Sequence, residues 1–235
     1  MSARKAKRAD LAKNPTDVAD MFNQVAARYD LVNALASMGQ DSRWRVEVTQ
    51  ALAPQRGEVI LDLAAGTGAS SEPLKADGAV VVSADFSLKM VGVGHERYPS
   101  HVYVAADALR LPFSDCAFDA VTMSFGLRNV ADPRKALREM YRVVRPGGTI
   151  VICEFSSPVS DLVRPLYGLW LDRIVPLISR VASSNSPAYT YLSESILAWP
   201  SQHRLASMMA DVGWTDIEWR NLTGGIVALH RASRP

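Results

Sequence analysis

The chain has 235 residues, 48% hydrophobic and 21% charged, and its 26 basic and 24 acidic side chains leave a formal net charge of +2. This is the composition of one globular domain, and a near-neutral balance without a basic stripe gives no ground for a nucleic-acid partner. No apolar run approaches the roughly 20 residues of a membrane span and no signal-peptide core follows the start, so a cytoplasmic protein is expected, with Cys116 and Cys153 as thiols.

Residues 1–16 carry Arg4, Lys5, Lys7, Arg8 and Lys13 ahead of any apolar periodicity. They are expected to form a basic disordered arm, with weak attraction to anionic lipid as the functional alternative. Residues 17–235 read as a single domain. From about Asp17 to Leu52, Val18, Met21, Phe22, Val25 and Tyr29 recur at helical spacing, a helical lead-in closed by "PQRG". Strands and helices then alternate: "VILDL", a helix after Gly68, "AVVVSAD", a short helix at Leu88 to Val93, "HVYVAAD" and "FDAVTMSF". Asp132-Pro133 opens a helix with Ala136, Leu137, Met140 and Val144 on one face and "RPGG" as its stop, and the strand "TIVICEF" follows. Alternation of this kind predicts an α/β fold, a doubly wound Rossmann-like sheet that is mostly parallel. After Phe155 the alternation breaks. The apolar run from Leu162 to Ala182 is interrupted by two prolines and four charges, and about 156–198 is expected to be a helical lid inserted over a site. A helix, "SQHRLASMMADVGW", and two strands joined by "TGG" close the domain as an antiparallel edge hairpin.

The turn "DLAAGTGASS" raises the question of which nucleotide is bound. A dinucleotide fingerprint needs glycine or alanine where Ser71 stands, and a triphosphate loop needs a lysine that does not occur between Val59 and Leu74. What remains is Asp62 at the end of the first strand, the turn Gly66-Thr67-Gly68, Asp85 at the end of the second strand, and Asp107 after the third. The Ala108 amide stands ready for an adenine edge. Three carboxylates at strand ends suit a cationic ligand without phosphates, and S-adenosylmethionine has both properties. The alternative is that the acids only cap helices. None of His95, His101, His203 and His230 has a histidine at ligand spacing, so no metal is expected.

The phrases "YDLVNALASMGQDSRW", "SFGLRNVADPRKALREMYRVVRPGG", "CEFS", "YTYLSESI", "WPSQHRLASMMADVGW" and "NLTGGIVALH" resemble the C-methyltransferases of ubiquinone and menaquinone biosynthesis, the UbiE/MenG family, from about Asp20 to Arg231. The resemblance implies methyl transfer from S-adenosylmethionine to a ring carbon of a polyprenylated quinol. It points to demethylmenaquinol first and to the benzoquinol of ubiquinone biosynthesis as the alternative, and it places Thr67, Asp85, Asp107, Ala108 and Ser124 around the cofactor. A non-catalytic S-adenosylmethionine-binding module is the reading from a different class. The sequence departs from the family at Val32, Ala36 and Asp41, where methionine, an aliphatic residue and histidine are usual, and at Ala65, where a glycine pair is usual.

A ring carbon becomes nucleophilic when a quinol hydroxyl loses its proton, so a base or a phenolate stabiliser is needed. Arg128, past the fourth strand, is the candidate stabiliser and Asp41 the candidate base. Asn129, Tyr189, Tyr191 and Glu194 are expected to shape the quinol pocket. Peripheral contact with a membrane and a homodimer are the associations left open.

Overall fold

Strands β1 (Val59–Leu63), β2 (Val80–Asp85), β3 (Val102–Ala105), β4 (Phe118–Ser124), β5 (Val144–Phe155), β6 (Thr215–Leu222) and β7 (Val227–Ser233) form one sheet in the computed structural model, which describes residues 9–26, 29–75, 78–159, 167–170, 173 and 186–235. The order is β3-β2-β1-β4-β5-β7-β6. Strands β1 to β5 pair in parallel, while β7 runs antiparallel to both β5 and β6. The expected hairpin is therefore present, with β7 inserted beside β5 and β6 left as the edge.

The strands read as near-continuous apolar runs because helices cover both faces, and their period of two divides them between two cores. Leu61, Leu63, Val121, Met123, Ile150 and Ile152 point into one, and Ile60, Val81, Ala120, Val151 and Cys153 into the other. The second core is closed by Trp44, Val48 and Leu52 of helix α3 (Gln40–Leu52). Helices α4 (Ser71–Lys75) and α5 (Leu88–Arg97) lie in the crossovers, the latter capped by Ser87, whose Oγ accepts from the Met90 amide at 3.2 Å. Helix α6 (Pro133–Val143) starts where expected, its Asp132 accepting from the Lys135 amide at 2.9 Å. Its buried face is Ala136, Leu137, Met140 and Val143 rather than Val144. Val144 begins β5 instead, and "RPGG" is a bulge inside that strand, where register jumps from Phe118–Val144 to Ala120–Thr149. Gly148 is required there because a Cβ would fall 2.5 Å from the Asp119 carbonyl oxygen.

The lead-in is three helices rather than one: α1 (Pro15–Val25), α2 (Tyr29–Ala36) and α3, with α2 and α3 separated by a turn through Met38 and Gly39, both at positive φ. Residues 1–8 of the expected arm lie outside the described residues, but order begins well before residue 16. Ala9 is buried against Val18, Met21 and Tyr191, and the Asn14 side chain caps α1 through the Thr16 amide at 3.0 Å. Within the expected lid, 160–166, 171–172 and 174–185 lie outside the described residues. Helices α7 (Ser186–Leu197) and α8 (Gln202–Ala210) follow.

Strand order reverses between β1 and β4, so the connections that leave their paired carboxyl ends turn to opposite sides and leave the crevice in which open α/β sheets bind ligands.

Candidate active site

Backbone conformation shapes the crevice. Ala64 after β1 and Phe125 after β4 both have positive φ, 57° and 58°, the kind of strain that persists where surrounding structure over-determines it. The two turns touch: a Cβ on Gly126 would stand 2.5 Å from the Ala64 Cβ and 2.8 Å from the Met123 Cε. Asp85 ties the glycine turn to β2, its Oδ2 accepting from the Gly66 amide and its Oδ1 from the Ser87 amide, each at 2.8 Å. Burial pushes the Asp85 pKa up, opposed by those amides.

Two cavities open off this crevice and share a wall of Tyr29, Ala64, Gly66, Ser124 and Phe125. The first, about 120 Å³, is lined by Asp85, Phe86, Ser87, Asp107, Ala108 and Leu109 from the ends of β2 and β3, and covered by Lys13, Pro15, Val18 and Phe22. The second, about 330 Å³, is lined by Asp30, Asp41, Trp44, Arg45, Thr67, Arg128, Phe155, Tyr167, Trp170, Leu192 and Ile196 among others. Its aromatic wall is continuous, with ring centroids 5.5 Å apart for Trp44–Phe125 and 5.0 Å for Phe125–Phe155. The Trp44 indole donates to Thr223 Oγ1 at 2.9 Å, which anchors this wall to the β6–β7 turn.

The residues singled out in the sequence divide between these spaces. Gly66, Asp85, Asp107, Ala108 and Ser124 line the first cavity. Thr67 lines the second, its hydroxyl donating to Asp30 at 2.8 Å. Asp62 lines neither. Its carboxylate is fully buried behind the turn, accepting from the Ser70 and Ser71 hydroxyls at 2.7 and 2.6 Å, and desolvation raises its pKa to about 6. Gly68 lines neither cavity: a Cβ there would lie 2.1 Å from the Tyr103 hydroxyl, so this glycine makes room for a neighbour.

Arg128 and Asp41 both line the second cavity. Asp41 accepts from the Ser37 hydroxyl at 3.1 Å and pairs with Arg45 at 2.7 Å. Arg128 is 5% exposed and pairs with the buried Glu154 at 2.8 Å; its Nη1 also donates to the Phe125 carbonyl. Asn129 falls on the first cavity rather than with Arg128 and Asp41 on the second, because its amide turns back to the Phe125 carbonyl at 3.3 Å. Tyr191 is buried against Ala9, Val18 and Met21 and lines neither space, as does Glu194. The side chain of Tyr189 lies outside the described residues. Sequence reasoning passed over Lys13, Tyr29, Trp44 and Phe155, whereas Trp170 belongs to the apolar run expected to cover the site and does line the second cavity. Tyr29 and Trp44 open and close the phrase "YDLVNALASMGQDSRW", which was the available signal; Lys13 had none. Among the described residues no cluster of three or more histidine, cysteine or acidic side chains could hold a metal, and no helix is long and apolar enough to cross a membrane.

The geometry therefore joins an acid-lined cavity to a larger aromatic one through a shared backbone wall. Residues 9–234 match the model of the ubiE/COQ5 methyltransferase family. The chain is 56% identical over 228 residues to a demethylmenaquinone methyltransferase of Paenarthrobacter aurescens, covering 97% of this chain and 90% of that one. It is 53% identical over 227 residues to a protein of the same name from Streptomyces griseus, covering 97% and 99%. Among solved structures, a SAM-dependent methyltransferase from Thermotoga maritima superposes with a TM-score of 0.66 at 16% identity, covering 93% of this chain and all of that one, a likeness of fold.

Proposed function

The chain belongs to the ubiE/COQ5 methyltransferase family, and on that premise we propose that it transfers a methyl group from S-adenosylmethionine to a ring carbon of demethylmenaquinol. The observation that carries the reading is the shared wall of the two cavities, which brings a donor and an acceptor together at Tyr29, Ser124 and Phe125. The relatives' common name supports demethylmenaquinol as the acceptor.

The first cavity fits the donor. Asp85 and Asp107 would repel a phosphate and suit a cation with free ribose hydroxyls, and two polar atoms of this wall, Ser124 Oγ and Asn129 Oδ1, are buried without a partner among the described residues. When bound, S-adenosylmethionine supplies an electrophilic methyl on a sulfonium. Asp85 would receive the ribose hydroxyls on the lone pairs left beside Gly66 and Ser87, and the Ala108 amide the adenine edge. Gly66 and Thr67 would hold the amino-acid end near the wall. Alignment in a water-poor space is the main demand of an in-line displacement, and the covering α1 residues meet it.

In the second cavity Trp44, Phe125 and Phe155 present faces to a flat quinol ring. Arg128 favours the phenolate form that makes the ring carbon nucleophilic. Asp41, already balanced by Arg45, is the carboxylate placed to take the hydroxyl proton directly or through water. Trp170, Leu192 and Ile196 give the prenyl tail an apolar path, and Met38, which lines the same cavity and is 70% exposed, suits peripheral contact with the membrane that holds such tails.

The test is to incubate the protein with methyl-labelled S-adenosylmethionine and short-chain demethylmenaquinol, kept reduced. Label in menaquinol is expected. Label only in a benzoquinol acceptor would move the reading to the ubiquinone series, and cofactor binding without transfer to either would leave a non-catalytic module.

A further inference from the structure

We infer that Glu154 is the positioning residue of this site: it sets which edge of the Arg128 guanidinium faces the acceptor cavity and how much net charge that edge presents. The inference rests on the role of Arg128 proposed above. Glu154 spends both oxygens on the turn Leu127–Asn129 and its own strand. Its Oε1 accepts from Arg128 Nη1 at 2.8 Å and from the Phe155 amide at 2.9 Å, and its Oε2 accepts from the Arg128 backbone amide at 3.2 Å. One carboxylate thus grips both the main chain and the side chain of the same residue, 26 positions away in sequence.

The second hydrogen of Nη1 goes to the Phe125 carbonyl, so that nitrogen is spent. The guanidinium carbon lies 4.9 Å over the Phe155 ring, which fixes its plane while Glu154 fixes its edge. Arg128 Nε is left buried without a partner among the described residues, on a side chain that lines the second cavity. A donor kept dry and free in this way is suited to a charge that appears only during reaction. Glu154 is 1% exposed and lines neither cavity, so it is not the base. It acts through Arg128, opposing part of the guanidinium's positive charge so that a phenolate meets a directed N–H beside a nearly neutral pair.

The groups in the field of this pair include Lys13, Tyr29, Cys153, Tyr167 and Tyr191. Burial pushes the three phenols and the thiol up, so they stay neutral across the acid limb of a rate profile, while Lys13 is lowered by desolvation.

The experiment measures kcat and KM against pH for short-chain demethylmenaquinol in the wild type, Glu154→Gln, Glu154→Asp and Arg128→Met, with S-adenosylmethionine affinity by calorimetry. Glu154→Gln keeps the outline, removes the charge and gives up one accepted N–H, so kcat is expected to fall and its acid limb to lie about one pH unit lower, as more positive charge favours the phenolate. Glu154→Asp keeps the charge and retracts the grip, so the limb is expected to stay while kcat falls roughly 10²-fold with cofactor affinity unchanged. An unmoved limb in Glu154→Gln, or wild-type kcat in Glu154→Asp, overturns the inference and leaves Glu154 a structural partner. If Glu154→Gln does not fold, Glu154→Asp decides alone. Arg128→Met with normal turnover overturns the reading of Arg128, and this inference with it. Loss in Arg128→Met beside wild-type profiles in both Glu154 variants overturns this inference only.

Discussion

Replacing Arg128 with methionine separates the proposed chemistry from packing, because the same side chain lines the second cavity and pairs with buried Glu154. Glu154 is almost wholly buried and would lose the only cation that pairs with it among the described residues, at 2.8 Å. Breaking a buried pair from one side costs about 3–5 kcal/mol, because the carboxylate left behind is dry and unbalanced. In a chain of this length a loss of about 4 kcal/mol, the middle of that range, should lower Tm by roughly 8–16 °C. Turnover should fall by roughly 10²–10³ with near-normal cofactor affinity, the loss expected for one preorganised donor to a developing anion. The double variant Arg128→Met with Glu154→Gln no longer strands a charge, so it should regain most of the stability and none of the turnover. Calorimetric melting and single-turnover methylation read both quantities. An Arg128→Met protein that melts with the wild type would refute the electrostatic reasoning, and a double variant that regains turnover would refute the catalytic reading.

Asp85→Asn should weaken S-adenosylmethionine binding by about 1–3 kcal/mol by titration calorimetry, since a charged acceptor holding the Gly66 and Ser87 amides is lost; unchanged affinity would remove it from the cofactor site. Gly126→Ala should loosen cofactor binding by forcing the ends of β1 and β4 apart, and adding Ala64→Gly should restore most of it, because the Cβ at 2.5 Å goes and a residue at φ 57° is relieved, while the Met123 Cε at 2.8 Å is the far end of a flexible side chain; a double variant as weak as the single would show that the Ala64 contact does not matter. Asp62, with its pKa raised to about 6 in the folded state, favours folding at low pH and loses that contribution as pH rises through about 6; Asp62→Asn should therefore flatten Tm against pH between about 4 and 6. Trp170→Ser should raise KM for a long-tailed quinol more than for a tail-less one, whereas Leu169→Ser should do neither, since Trp170 lines the second cavity and Leu169 does not.

What local periodicity controls was legible in the sequence: the strands, the Asp132 cap of α6, the glycine turn, and Asp85 at the end of β2. These depend on neighbours within a few residues, and the carboxyl ends of strands are where this fold gathers ligand contacts. What long-range packing controls was not. Asp62 occupies the same kind of place as Asp85, but Ser70 and Ser71 hold its carboxylate behind the turn, and only the folded chain shows which way it faces. Tyr29 reads as one more apolar helical position yet stands in the wall between the two cavities. Lys13 reads as part of a solvated arm, but the burial of Ala9 and the Asn14 cap bring it over the first cavity. Glu154 stood inside a recognisable phrase, and its partner lies 26 positions away across a strand pair.

The insertion of β7 between β5 and β6 also sets the order of events when the chain is made. About 70 residues separate the end of β5 from the start of β7, which at roughly 5–20 residues per second is on the order of 4–14 s of synthesis. Throughout that interval β5, whose Ile150 to Cys153 are completely buried in the finished protein, presents an open apolar edge, the template on which strands of other chains pair. The same late segment brings Thr223 and Ile226 to the second cavity. A nascent chain that has made only β1 to β5 therefore has both an open edge and an unfinished cavity, and protection of the one and completion of the other arrive with the same few residues.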